Sequence, residues 1–168
     1  STTELTRNLA ISINKKHGNC GVPIQANLYR TEKDLEILVK EGVSVRLVKG
    51  AYKETEDIAY QNTSEIYSSF FAHAAYLYSE KSNKPAIATH DEKLLNDIEE
   101  LIPSPLDYDY EFLYGIRRDL QRKYKEEGRE VRIYVPFGTD WLPYTLRRLK
   151  EWKNFKFVAT SIIKEWLN

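Results

Sequence analysis

Apolar positions in this chain recur in two alternating rhythms. Short apolar runs stand at Val22–Ala26, Val43–Val48, Pro85–Thr89, Asp109–Leu113 and Val131–Pro136. Each is followed by a stretch whose apolar residues fall three and four apart, the spacing of one helix face. Leu35, Leu38 and Val39 do so within Glu32–Glu41, with Thr31 expected as the N-cap. Ile66, Phe70, Phe71, Ala74, Ala75, Leu77 and Tyr78 do so within Ser64–Lys81. Asp91–Leu101, Arg117–Glu127 and Asp140–Trp152 follow the remaining runs, and the opening segment STTELTRNLAISINKKHG reads as a capped helix. Five successive strand–helix units predict parallel strands joined by right-handed crossovers, an α/β fold. Two architectures use this alternation: an open doubly wound sheet, and an eight-unit barrel that five units cannot close. Periodicity does not choose between them.

The length of 168 residues suits one domain, and no linker or repeat divides it. Lys+Arg 25 against Asp+Glu 25 leaves no net charge, so nothing global argues for nucleic acid as a partner. Charge is nevertheless uneven: residues 91–111 are acidic, and a basic stretch follows from Arg117 to Arg132. A lone cysteine, Cys20, offers neither an internal disulfide nor a CxxC site, which suggests a reducing, cytoplasmic setting. No apolar run reaches the ~18–20 residues of a membrane span. The absence of methionine leads us to expect a chain that lost its initiator or is a piece of something longer.

In α/β folds the chemistry gathers at the C-terminal ends of the strands. After the second run, alternation points Arg46, Val48 and Gly50 to one face. A cation on an interior face needs an anionic or polar partner, which favours a ligand, while the plainer reading has Arg46 and Lys49 reaching solvent or a nearby acid. Thr89-His90-Asp91 opens a helix whose first N–H groups could take a phosphate, or Thr89 and Asp91 simply cap it. On the last helix Tyr144, Arg147, Arg148 and Glu151 share one side, suited to a carboxylate or phosphate or else forming a solvated salt-bridged face. No glycine-rich phosphate loop is present, and His17 and His73 have no metal-ligand spacing.

RLVKGAY (46–52), ATH (88–90), EFLYG (111–115), VRIYVPFG (131–138) and DWLPYTLRRLKE (140–151) resemble, in order and spacing, the proline dehydrogenase family of flavoenzymes. That resemblance spans roughly residues 23–151. It implies a proline-dehydrogenase-like (β/α)8 barrel, here five units of eight, holding FAD at the strand ends. It also implies oxidation of L-proline to Δ1-pyrroline-5-carboxylate, proline C5 facing flavin N5, with electrons passed to a quinone. By the same resemblance Gln25 would contact the flavin, and Arg46 would lie near its reactive edge, where a cation stabilises the anionic reduced ring. Val48 and Gly50 would let the cofactor approach the backbone, and Thr89 and His90 would line its phosphate and ribityl region. Ala51 would leave space beside the substrate ring, Leu120 and Tyr144 would sandwich it, and Tyr134 would lie at the strand end nearby. Arg147 and Arg148 would ion-pair the substrate carboxylate, with Glu151 in a cofactor or pairing role.

The chain also departs from the family. The lysine and aspartate that the family carries on its first two strands have no counterpart here, and Lys53 and Asp91 replace the family's frequent Trp and Asn. The expectation is therefore the C-terminal five-eighths of such an enzyme, its remaining strands coming from a second polypeptide or a lost segment. Quinone use would bring the protein to a membrane surface peripherally. Two other readings stand beside it: a non-catalytic module that holds a carboxylate or phosphate through Arg147 and Arg148, and an unrelated nucleotide-binding domain, which the missing glycine-rich loop disfavours.

Overall fold

The structure, a computed structural model, describes residues 2–50, 54–80, 82–101, 108–135 and 137–139. Helix α1 (Thr2–His17) leads into β1 (Gly21–Gln25), followed by α2 (Thr31–Lys40), β2 (Ser44–Val48), α3 (Thr63–Ser79), β3 (Ala86–Ala88), α4 (Glu92–Leu101), β4 (Asp109–Leu113), α5 (Arg118–Glu126) and β5 (Val131–Tyr134). All strand pairs are parallel, and the sheet order is β1-β2-β3-β4-β5. This order decides what periodicity left open. A doubly wound sheet reverses its strand order at a switch point, whereas right-handed crossovers that always advance in one direction place every helix on the same side, as in a barrel wall.

Alternation along the strands agrees. Val22 and Ile24, Val45 and Leu47, and Tyr110 and Phe112 are buried on the helix side with Leu35, Leu38, Phe70, Leu77, Leu94, Leu95 and Tyr124. Pro23, Arg46, Ala86, Ala88, Asp109, Glu111, Arg132 and Tyr134 alternate with them on the opposite, open face. Expected and observed strands agree to within a residue or two at each end. Asn62 caps α3, accepting from the Ser64 amide at 2.9 Å. Thr31 is not the cap of α2 but its first residue: Arg30 holds the cap position, and the Thr31 hydroxyl donates to the Gln25 carbonyl at 2.5 Å, tying the helix to the end of β1. The last expected helix, residues 140–152, lies outside the described residues.

Helix α1 is locked to α2 by charge. Asp34, its side chain 4% exposed, accepts from Arg7 Nη1 and Arg30 Nε, each at 2.7 Å. Burial raises the Asp34 pKa, but the two guanidiniums outweigh it and the carboxyl lies below its usual value.

Candidate active site

Strand register builds the open face in layers. Pro23, Arg46, Ala86 and Asp109 form one; Gln25 lies beside Val48 and Val48 beside Ala88 in the next, while across the sheet Glu111 lies beside Arg132 and Leu113 beside Tyr134. Arg46 begins in the lower layer and rises toward the strand ends. Its Nε stops 2.8 Å from Glu111 Oε1, and its Cζ lies 5.4 Å from the centre of the Tyr134 ring. Arg46 and Glu111 stand on β2 and β4, two strand spacings of about 4.8 Å apart. The side chain crosses because β3 presents only Ala86 and Ala88 there.

Acids and bases alternate across this face. Lys84 Nζ lies 3.1 Å from Asp109, Arg132 bonds the other oxygen of Asp109, and Arg132 Nη1 is 4.0 Å from Glu111 Oε2. The carboxylates of Asp109 and Glu111 are 8% and 4% exposed, a burial that only paired charge makes tolerable. Arg46 Nε and Glu111 Oε2 are buried polar atoms that make no aligned hydrogen bond, close as the ion pair is.

The turn after β3 forms the other side of the site. Thr89 is buried, and its hydroxyl accepts from the Asp91 amide at 3.3 Å. Asp91 caps α4 by accepting from the Leu94 amide at 3.2 Å and pairs with Lys49 Nζ at 2.6 Å. Burial raises the Asp91 pKa, but Lys49 and the helix amides prevail and hold it low. An aspartate here thus keeps the cap an asparagine would make and adds a salt bridge to the end of β2. His90 Nε2 accepts the Leu113 amide at 3.1 Å, which leaves the proton of the neutral ring on Nδ1. Burial, helped by the Arg117 guanidinium, pushes the His90 pKa down to about 4. Arg117, at φ +50° ahead of α5, bonds Glu92 at 2.7 Å and Asp119 at 2.8 Å.

Arg46, Val48, Gln25 and Tyr134 therefore share the open face, with Thr89 and His90 at its rim. Leu120 is not among them. It is 2% exposed on α5, in the core behind the sheet, which corrects its expected contact with a substrate ring; the open-face leucine of that unit is Leu113. At Gly50 a Cβ would stand 2.1 Å from Asn27 Oδ1 and the backbone has φ +113°, so glycine makes room for the Asn27 amide. Ala51, Tyr144, Arg147, Arg148 and Glu151 lie outside the described residues. Sequence reasoning missed Glu111 and Leu113, although the alternation that selected Arg46 would have put both on the same face. Among the described residues no group of three His, Cys, Asp or Glu could hold a metal ion, and no helix is long and apolar enough to cross a membrane.

Fold and site together define an α/β protein of the parallel barrel class, with a charged open face. The family model for proline dehydrogenase matches residues 2–159, and the chain belongs to that family. It is 32% identical over 168 residues to the proline dehydrogenase of Deinococcus radiodurans, covering 97% of this chain and 53% of that protein. It is 36% identical over 143 residues to proline dehydrogenase 2 of Bacillus subtilis, covering 82% and 46%. The chain thus spans about half the length of the curated relatives it matches. Among solved structures, proline utilization A from Bdellovibrio bacteriovorus, inactivated by N-propargylglycine, superposes with a TM-score of 0.78 at 26% identity, covering 93% of this chain and 19% of that one.

Proposed function

We propose that this chain carries the flavin face of an FAD-dependent L-proline dehydrogenase, whose product is Δ1-pyrroline-5-carboxylate and whose electrons pass to a quinone. The observation that carries the reading is Arg46: a guanidinium led across two alanines to the strand ends, inside a motif that resembles the family's. The donor set suits a flavin. Arg46 supplies positive charge, Gln25, Val48 and Ala88 offer a strip of small or apolar side chains with one amide, and Glu111 Oε2 is a buried acceptor without an aligned donor. Bound there, FAD supplies a two-electron acceptor for the hydride of proline.

The chain's own residues bind and orient. Arg46 stabilises negative charge on the reduced ring. His90, neutral across the physiological range, adds no competing cation at the rim, and Thr89 shares that rim with it. Tyr134 stacks over Arg46 and borders the substrate side. Arg147 and Arg148 grip the substrate carboxylate, with Tyr144 and Ala51 shaping the space for the ring and Glu151 pairing or touching the cofactor. A second polypeptide belongs to this reading: β1 and β5 each have one edge without a strand partner among the described residues, and such edges recruit strands. Quinone use brings the assembly to a membrane surface without a span.

Purified protein tests the reading. A flavin band near roughly 450 nm that L-proline bleaches without oxygen is the expected result. Arg46→Ala should lower flavin retention or slow the bleaching. Protein that binds no FAD, alone or co-expressed with a fragment bearing the family's first three strands, overturns it.

A further inference from the structure

We propose that Glu111 is the positioning residue for Arg46, holding the guanidinium at the strand ends. The inference rests on the flavin reading above and deepens it. Three observations meet at this carboxylate. Glu111 is nearly buried yet charged, and its Oε1 faces Arg46 Nε at 2.8 Å. The only other acid of the described open face, Asp109, lies in Arg46's own layer but is occupied by Lys84 and Arg132. Finally, the strand between Arg46 and Glu111 bears Ala86 and Ala88, so the long side chain has a trough to lie in.

The order of charges decides where Arg46 goes. Lys84, Asp109, Arg132, Glu111 and Arg46 alternate in sign across the face, so each acid lies between two cations. With Asp109 satisfied from one side, Glu111 is the acid left to draw Arg46 upward, and the Tyr134 ring lies against the guanidinium from the next strand. The ion pair through Nε, the inner nitrogen, sets the height of the guanidinium on the face. Replacing the carboxylate by an amide keeps shape and removes the pull, so Arg46 loses its set position while the sheet stays intact.

The test is a double-substitution cycle with Glu111→Gln and Arg46→Lys in the flavin-loaded protein, joined to a readout that needs no turnover. In 15N-labelled protein the Arg46 Nε–H resonance, assigned by its loss in Arg46→Lys, should move and broaden in Glu111→Gln while the melting profile stays cooperative. Glu111→Gln should lower kcat for proline about tenfold with KM nearly unchanged, and cost less than about twofold when Arg46 is already lysine. An unmoved Arg46 resonance, or kcat losses that simply multiply in the double variant, overturns the proposal. If the parent protein takes up no flavin and does not oxidise proline, the functional reading fails first and takes this inference with it; an intact parent with an additive cycle rejects the inference alone.

Discussion

The backbone amide of Leu113 donates to Nε2 of His90 at 3.1 Å, so the end of β4 and the β3–α4 turn are tied by a ring nitrogen that must stay unprotonated. The unfolded chain takes up that proton at the ordinary value of 6.5, the folded one only near 4. Between these values the unfolded state binds more protons, so stability is lost as pH falls through the window, by about 2–3 kcal/mol. Urea midpoints at pH 7 and pH 4.5 should show this loss, and His90→Gln, whose amide oxygen can accept from Leu113 at any pH, should show much less of it.

Gly50 and Gly115 separate two costs of a side chain. Both have positive φ, but a Cβ at Gly115 meets nothing within 4 Å whereas one at Gly50 runs into Asn27. Gly115→Ala should cost about 1 kcal/mol, and Gly50→Ala at least about 2 kcal/mol more, measured by urea unfolding. Adding Asn27→Ala should return part of the second loss.

Asp34 predicts an acid-sensitive contact between α1 and α2. Asp34→Asn leaves Arg7 and Arg30 without their shared anion and should cost about 2–3 kcal/mol at pH 7. The folded carboxyl titrates below its usual 3.8, so this stabilisation is present above that value and disappears as pH falls below it. Thermal melts of parent and variant should therefore converge on acidification.

Arg147 and Arg148 are assigned to the substrate carboxylate from their motif. Replacing either by lysine removes the planar fork and should raise KM for proline by a factor equivalent to about 1.5–3 kcal/mol. Values within twofold of the parent for both would make the pair a solvated helix face.

Much of this architecture is written locally. Strands stood out as apolar runs because the helices packed on one side of the sheet bury that side of every strand, and alternation alone put Arg46 and Val48 opposite Val45 and Leu47. What sequence did not reveal depends on contacts between distant segments. That Gly50 must make room for Asn27, on the neighbouring strand's exit, is visible only once the two strands lie side by side. Leu120 was assigned by family resemblance, yet its helix turns it inward, where any α5 leucine on that face would go. The pairing of Arg46 with Glu111 needs the register across β3, which no periodicity encodes.

The strand order has a consequence for how the protein is made. Each strand hydrogen-bonds to the one synthesised just before it, so every pairing closes a loop of only about 20 to 40 residues. A nascent chain can add one strand and its helix at a time onto a growing wall, each new strand pairing with the one already in place. The charged face then matures in stages. Arg46 emerges with β2 and stays an uncompensated cation until β4 brings Glu111, so the acid that aims it arrives two strands later in translation.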